Sequence, residues 1–375
     1  MDWPMTLQEA LTVIAAQAEE VDRARVWPRR GLQALADAGV AGLTLPEAVG
    51  GQGASLPTMV EVLEQVGAAC ASTAMCYLMH LVAVASVAAK ASEAQVRDWA
   101  PSWATGRRWA TLAFSEPGTG AHFYRAEMQP EAADGGWVLQ GTKSFVTSGA
   151  FADDYVVLTR SANPSSGLDV WVVPRTAPGV SFGGEWTGIG MAGNASVEMR
   201  LDRVPVRPDQ RVGGEGAGEG IVFEVVAPYF LLGVAAVNVG IAKAAVEAAR
   251  AHMQGRQHSH THQALAEYPT LQTAVAELDV AVRSGQAVVR EAAQRAASGA
   301  EDALLWVMAA KVHATDTAAR VSDAALGLGG GRAYARRSPL ERHWRDGHAG
   351  RIMAPTNATL LEWIGRTRLG LPLFA

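Results

Sequence analysis

The spacing of apolar residues changes twice along this chain of 375 residues, and that change constrains the fold most strongly. Up to about residue 105, apolar residues recur every three or four positions, as on helices that bury one face. Between about residues 111 and 204 they fall in short alternating runs that Gly, Asp and Ser interrupt, as in half-buried strands. Helical spacing returns from residue 220 in long segments. The sequence therefore predicts helices, then strands, then helices.

These periods predict an α+β multi-domain chain. Residues 1–110 are expected to form an all-α domain, residues 111–212 an antiparallel β barrel or sandwich, and residues 213–375 a helical bundle of the four-helix-bundle type. A chain of 375 residues has room for two or three domains of about 100–200 residues each.

The composition excludes several classes of protein. Charges of both signs are mixed along the chain, with a net charge of −5 and a pI near 6.0, so no nucleic-acid partner is expected. The N-terminus lacks the basic start and apolar run of a signal peptide. The apolar runs 68–89 and 225–242 contain polar residues, so we interpret them as core helices rather than membrane spans. Cys70 and Cys76 fit neither a zinc nor a redox spacing, which predicts buried, reduced thiols in a cytoplasmic protein.

A histidine cluster lies near the end of a predicted helix. It consists of His252, His258, His260 and His262. Imidazole is a common zinc ligand, but the cluster has no acidic or thiol partner at helix-face spacing. We interpret it as a solvated loop and predict no metal site.

Two segments of the predicted β region have the chemistry to approach a flat, polar ligand. Phe114 and residues 115–120 form a glycine-rich turn after a strand, where backbone amides could come close to a ligand, although an ordinary β-turn has the same composition. Phe145 and Thr147 are two positions apart, so a regular strand places a ring and a hydroxyl on one face. Ordinary sandwich core explains that pair equally well.

The glycines of residues 327–331 are followed by a series of arginines: Arg332, Arg336, Arg337, Arg342 and Arg345. Glycine and arginine together suit a ligand that carries phosphate, but they are also common at the helix ends of plain bundles. The chain has neither a GxGxxG motif after a strand nor a P-loop, which argues against those nucleotide folds.

Taken in order, several strings resemble signatures of the acyl-CoA dehydrogenase family over nearly the whole chain. Residues 45–53 resemble P-E-x-x-G-G-x-G, and residues 115–120 resemble the start of T-E-P-x-x-G-S-D. Residues 141–149 resemble G-T-K-x-[WF]-I-T-N-G, and residues 330–346 resemble G-G-x-G-Y…P-V-E-R-x-x-R-D. The family is specified by the order and spacing of these strings more than by any one of them.

The resemblance implies FAD bound between the β domain and the C-terminal bundle, with a second subunit completing the site. Carried over by position, Phe114 and Ser115 would contact the pyrimidine side of the flavin, and Gly120 belongs to the same loop. Phe145 would lie against the flavin ring. Thr147 would form a hydrogen bond near N5.

The resemblance also assigns cofactor contacts in the C-terminal region. Arg256 would reach the FAD diphosphate across a dimer interface, and Gly330 and Gly331 would approach the adenosine side of the neighbouring subunit's FAD. Thr356 follows the position of the catalytic base and would face the cofactor.

The chain departs from the family at the catalytic base. Counting without gaps from the Arg-Asp pair at 345–346 places Ala354 where the family has its usual glutamate. Some members carry the base on the long helix after the glycine-rich linker, and there the count reaches Phe230, again not a carboxylate. The remaining candidates are Glu224, about two helical turns away, and His348.

The expected function is that of an FAD-dependent oxidoreductase which oxidises the α,β bond of an acyl thioester, bound to CoA or to a carrier protein, with a relocated or missing base. Other small apolar substrates remain open. A homodimer or homotetramer and an electron-transferring flavoprotein are the expected partners. The alternatives are a flavin-dependent monooxygenase or oxidase on the same fold, and a non-catalytic family member.

Overall fold

The computed structural model describes residues 4–374, and contacts divide them into two compact units. The first unit contains residues 4–55, Met75–Thr187 and Ala192–Phe230. The second contains Leu56–Ala74, Gly188–Met191 and residues 231–374.

Among the described residues before 110, the regular elements are helices, as predicted. The types and spacing of Ser92 and Gln95 predict a capping box. The two residues form it at the start of one helix, with Gln95 N donating to Ser92 Oγ at 3.3 Å and Ser92 N donating to Gln95 Oε1 at 2.9 Å. Gly39 has the positive φ, 72°, that its place after a helix predicts. The helices are α1 (Leu7–Arg23), α2 (Arg29–Asp37), α3 (Leu56–Ala69), α4 (Ala71–Lys90) and α5 (Glu93–Ala104).

The middle region is a β structure of two sheets, within the first unit. One sheet has the strand order β1-β4-β5, and the other has the order β2-β3-β7-β6. The strands are β1 (Ala110–Ala113), β2 (Glu131–Ala133), β3 (Gly136–Val146), β4 (Asp154–Arg160), β5 (Leu168–Pro174), β6 (Val180–Gly183) and β7 (Val197–Val206).

Side chains from both sheets form one buried core. Tyr155 and Trp171 come from the first sheet, and Leu139, Met199 and Leu201 come from the second. The two sheets pack face to face around this core, which gives the sandwich that the alternating pattern predicted.

The prediction that the β domain is antiparallel throughout is wrong for one pair of strands. β1 pairs with β4 in parallel, with Ala110 opposite Asp154 and Ala113 opposite Val157. Parallel strands need a long crossover, and here the chain makes β2 and β3 in the other sheet before it returns as β4. The other strand pairs are antiparallel.

The C-terminal helices are long, as the bundle prediction requires. Helical spacing over residues 269–298 and 300–326, followed by the glycines of residues 327–331, predicts two helices and then a turn. Helix α8 has the predicted bounds, but α9 runs past residue 326 through these glycines. The positive φ of Gly330, 58°, interrupts the helical path of α9 near its end. The helices are α6 (Gly218–Gly220), α7 (Ala227–Gln254), α8 (Pro269–Ser298), α9 (Ala303–Ala333), α10 (Pro339–Gly347), α11 (Ala349–Ile352) and α12 (Asn357–Arg368).

Two helical stretches are long and apolar enough to cross a membrane by length and composition, Ala71–Lys90 and Gly218–Gln254. Their most apolar windows are 94% and 67% buried inside the protein, as expected for core helices. Cys70 and Cys76 are both buried and free.

Candidate functional site

The loop after β1 carries the first group of predicted site residues. Phe114 is buried, and Ser115 is half-buried, with its carbonyl accepting from the backbone amide of Ser144 at 2.8 Å. Gly120 is exposed and has a φ of 55°, and no atom lies within 4 Å of the point where a Cβ would be. The loop is therefore anchored at its start and open at its glycine end.

A buried ion pair fixes this loop to β3. Lys143 Nζ lies 2.5 Å from Glu116 Oε1, and their side chains are 0% and 4% exposed. Lys143 Nζ also donates to the carbonyl of Leu158, while Glu116 Oε2 accepts from the backbone amides of Glu127 at 2.7 Å and Met128 at 3.1 Å. Burial lowers the pKa of Lys143, and the Glu116 carboxylate opposes that shift. Both charges are thus neutralised and hydrogen-bonded in the core.

Our sequence reasoning did not single out Glu116 or Lys143 individually. The sequence gives no clear signal for them, because Glu116 lies in a glycine-rich turn and Lys143 lies between Thr142 and Ser144. A buried charge needs a partner, and these two have opposite signs.

The expectation that Phe145 and Thr147 share one strand face is wrong. Phe145 has a φ of 53°, within a β-bulge between Lys143 and Val146 where β3 shifts its register against β7. The bulge leaves the Phe145 ring 72% exposed, whereas Thr147 is buried and its Oγ1 lies 2.9 Å from Ser196 Oγ. The structure therefore offers an exposed aromatic ring beside a buried pair of hydroxyls.

Glu224 lies in a π-helical turn, Ile221–Val226, just before α7. Such turns are rare in proteins, and those that occur are often found at functional sites. The Glu224 side chain is 64% exposed, and its Oε2 lies 2.6 Å from Lys90 Nζ. An exposed carboxylate paired with a cation lacks the dry environment that makes a carboxylate an effective base near neutral pH.

Positive charge gathers at the C-terminal end of α7 in the second unit. His252, half-buried, has a lowered pKa because burial disfavours its charged form and because Arg256 and Arg332 add positive charge nearby. Gly330 and Gly331 are exposed, with no atom within 4 Å of the Cβ that another residue would carry. This part of the unit therefore combines guanidinium groups with exposed glycine backbone.

The other histidines follow in the segment after α7. His258 and His260 are stacked with ring centroids 5.3 Å apart, and His258 Nδ1 lies 3.1 Å from the Tyr268 hydroxyl. His260 and His262 are exposed. Within residues 4–374, no group of three or more His, Cys, Asp or Glu side chains is arranged to hold a metal ion.

The Arg-Asp pair of α10 anchors residues 188–191 within the second unit. Arg345 Nη1 donates to the carbonyl of Ile189 at 2.9 Å, and its Nε lies 2.6 Å from Glu341 Oε1. Asp346 Oδ1 accepts from the backbone amide of Met191 at 2.6 Å. The pair therefore has a structural role here.

His348 is half-buried and lies near Asp323 of α9. Its Nδ1 donates to the carbonyl of Trp344 at 2.7 Å, and its Nε2 lies 3.5 Å from Asp323 Oδ1. Because a carbonyl oxygen only accepts, the contact with Trp344 places a hydrogen atom on Nδ1.

Residues 353–357 contain the position of the missing glutamate. Ala354 is half-buried and is followed by a cis peptide bond to Pro355. Thr356 caps α12, with its Oγ1 accepting from the backbone amide of Thr359 at 3.3 Å. Lys311 of α9, which our sequence reasoning missed, is buried beneath this segment and contacts it.

Comparisons with known proteins give the family. Three models match successive parts of the chain: the N-terminal domain of acyl-CoA dehydrogenase over residues 6–107, the middle domain over 111–204, and the C-terminal domain over 232–357. The chain belongs to the acyl-CoA dehydrogenase family. It is therefore an FAD-dependent oxidoreductase.

The relatives cover almost the entire chain. A cyclohex-1-ene-1-carbonyl-CoA dehydrogenase of Geobacter metallireducens is 28% identical, over 97% of this chain and 96% of its own. The structure of the butyryl-CoA dehydrogenase of Megasphaera elsdenii has a TM-score of 0.89 at 23% identity, covering 98% of this chain and 100% of its own. A prolyl acyl carrier protein oxidase has a TM-score of 0.87 at 21% identity, covering 97% and 99%. These solved structures show the same fold.

The two units, taken separately, have features that fit FAD. In the first, the exposed Phe145 ring offers a stacking surface, and Gly120 leaves backbone open. In the second, Arg256 and Arg332 supply the positive charge that a diphosphate requires, beside the open backbone at Gly330.

Proposed function

We propose that this protein oxidises an acyl thioester, carried by CoA or by a carrier protein, to its α,β-unsaturated form. Support comes from relatives of matching length whose names specify CoA thioesters, the cyclohex-1-ene-1-carbonyl-CoA dehydrogenase and an acryloyl-CoA reductase of Anaerotignum propionicum that is 27% identical. FAD, when bound, accepts the hydride that leaves the β-carbon.

The residues of the first unit would hold the flavin ring. Phe145 would stack on it, since its ring is the exposed aromatic group of the β3 bulge. Phe114, Ser115 and Gly120 would contact it through the loop after β1, which the Glu116 ion pair holds in place. Thr147, whose hydroxyl already contacts Ser196, would contribute a hydrogen bond near N5.

The residues of the second unit would hold the ADP half of the cofactor. Arg256 would balance the charge of the diphosphate, with Arg332 adding to the same field. Gly330 and Gly331 would allow the adenosine to approach the backbone, and Thr356 would lie on the cofactor side of the Ala354 segment. The family resemblance implies that a second copy of the chain completes these contacts, so we propose a homodimer or homotetramer.

The proton of the α-carbon needs an acceptor other than residue 354, because an alanine side chain takes no proton. Glu224 is exposed and paired with Lys90, which argues against it. His348 is better placed, since its side chain is 31% exposed against 64% for Glu224. We therefore propose His348 as the residue to test as the base.

The missing carboxylate at Ala354 favours a second candidate function, a flavin-dependent monooxygenase or oxidase. Both reactions use oxygen as the electron acceptor, and a monooxygenase that oxygenates its substrate removes no α-proton and so needs no carboxylate at this position. The similarity in fold to a prolyl acyl carrier protein oxidase is compatible with it. The electron acceptor separates the two functions, because a dehydrogenase delivers its electrons to an electron-transferring flavoprotein.

The test is anaerobic mixing of the FAD-loaded protein with a series of saturated acyl-CoA thioesters of graded length and branching. The proposal predicts loss of the visible absorbance of oxidised flavin with at least one thioester, and faster reoxidation by an electron-transferring flavoprotein than by air. If no thioester reduces the flavin, and chemically reduced protein consumes oxygen rapidly, the second function is correct.

A further inference from the structure

Lys311 is a fully buried lysine that the proposed chemistry does not use. It lies on α9 and donates from Nζ to three acceptors, the carbonyl of Met353 at 3.3 Å, the carbonyl of Pro355 at 3.0 Å and Oδ1 of Asn357 at 2.9 Å. These acceptors alternate with Ala354 and Thr356 along the chain. A single ammonium group therefore ties down both sides of the two residues that the family places at its reacting centre.

Lys311 Nζ has a donor for each of these three acceptors when it is protonated and two donors when it is neutral. Asn357 is held further by Thr315, whose Oγ1 accepts from Asn357 Nδ2 at 2.9 Å, and by Asp316, whose Oδ1 accepts from the same nitrogen at 3.0 Å. Arg351 of α11 pairs with Asp316 at 2.8 Å. The segment is thus joined to α9 by a connected polar network.

We propose that Lys311 is the positioning residue for the Ala354 and Thr356 side of the active site, and that release of this segment from α9 takes up a proton at Lys311. The proposal rests on the proposed function for the statement that this segment faces the substrate. The statement that Lys311 holds the segment against α9 depends only on the observed hydrogen bonds.

The proton linkage follows from burial. Burial lowers the pKa of Lys311 to about 7, and Asp316 on the same helix opposes the shift. Arg351 is the charged group nearby on α11, where it pairs with Asp316, and the contacts from the 353–357 segment are all neutral. When the segment is released, Lys311 becomes exposed to water and its pKa returns to the ordinary value of 10.5.

Between about pH 7 and pH 10.5, Lys311 is therefore neutral when the 353–357 segment is bound to α9 and protonated when the segment is released. The released form holds the additional proton, so release becomes less favourable as pH rises through this window. Below about pH 7 both forms are protonated and the dependence ends. A lysine of ordinary pKa that served only for packing would give no such dependence.

The test is hydrogen exchange of peptides that cover residues 350–360, measured by mass spectrometry across the window and corrected for the intrinsic rate of exchange. In the native chain, the release equilibrium should fall by up to about tenfold per pH unit. In Lys311→Met this dependence should vanish. A dependence that is equal in the native chain and in Lys311→Met overturns the proposal.

Asp316→Asn provides a second, milder variant that keeps the hydrogen-bond acceptor for Asn357 and removes the charge that opposes the shift. Without this charge the pKa of the buried Lys311 falls further, so the pH dependence of release should extend below pH 7. A dependence that still ends at about pH 7 would contradict the proton linkage. Asp279→Asn is the matched control, because Asp279 is an exposed acid on α8 paired with Arg283, and it should behave as the native chain does.

Flavin reduction separates this proposal from the proposed function. With a thioester that reduces the native protein, Lys311→Met should lower the rate at saturation by about tenfold, as expected from losing a hydrogen bond to a charged group, with KM and FAD content nearly unchanged. An unchanged rate refutes the positioning role. If no thioester reduces the native protein while the exchange results hold, the proposed function fails and the proton-linked tie remains.

Discussion

The buried ion pair between Glu116 and Lys143 gives the most quantitative prediction. Replacing Glu116 by Gln keeps the shape of the side chain and an acceptor for the Glu127 amide, but it leaves the Lys143 ammonium without a counter-charge at 0% exposure. Breaking a buried pair by removing one partner typically destabilises a protein by about 3–5 kcal/mol. We expect Glu116→Gln to lie in this range.

The reverse change should be milder. In Lys143→Met the Glu116 carboxylate keeps its hydrogen bonds from the amides of Glu127 and Met128. The double variant, with Glu116→Gln and Lys143→Met, removes both charges, so its loss should be well below the sum of the two single losses. The interaction free energy of this cycle should be at least about 2 kcal/mol.

The assay is urea unfolding of all four proteins at one fixed, saturating FAD concentration, because bound cofactor contributes to apparent stability. Retained FAD after gel filtration is the second readout, since the pair holds the loop that carries Ser115 and Gly120. An interaction free energy below about 0.5 kcal/mol would show that the two charges act independently, and would refute the reasoning.

Three further predictions concern the cofactor and the missing base. Phe145→Ala should weaken FAD binding by about 0.5–1.5 kcal/mol, as measured by fluorescence titration, whereas Phe151→Ala, which removes an exposed ring stacked on Trp27, should leave FAD binding unchanged. Arg256→Ala should lower the FAD retained after dialysis by losing about 1.5–3 kcal/mol of charge-assisted contact, and Arg250→Ala, an exposed arginine of the same segment paired with Glu247, is its control. Equal losses in both arginine variants would contradict the assignment. Ala354→Glu should create or raise acyl-CoA desaturation in a product assay, and no gain with any thioester would argue that the substrate is not one.

Much of the fold follows from local sequence signals. The bounds of α8 were predicted from the helical spacing of residues 269–298, and Pro269 at its start and Gly299 after its end, with a φ of 68°, fit these bounds. The capping box at Ser92 likewise marks the start of α5 within the chain itself. Signals of this kind involve residues a few positions apart, so a sequence displays them directly.

The features that sequence reasoning missed depend on contacts between distant segments. The parallel pairing of β1 with β4 depends on which strand the chain returns to, and the bulge at Phe145 depends on the register of β7. The partners of Lys143 and Lys311 are also distant in sequence, although Lys311 itself stands out in an apolar segment. The absence of a carboxylate at Ala354 was visible from the start, because it required only a count along the chain.

The central claim, oxidation of an acyl thioester across its α,β bond, is tested most directly with a substrate that carries deuterium at both carbons. The FAD-loaded protein is incubated with this thioester and an electron-transferring flavoprotein, and the product is analysed by mass spectrometry. We predict an enoyl thioester that has lost one deuterium from each carbon. A product that keeps every deuterium atom of the substrate, or one that has gained oxygen from labelled O₂, would contradict the claim.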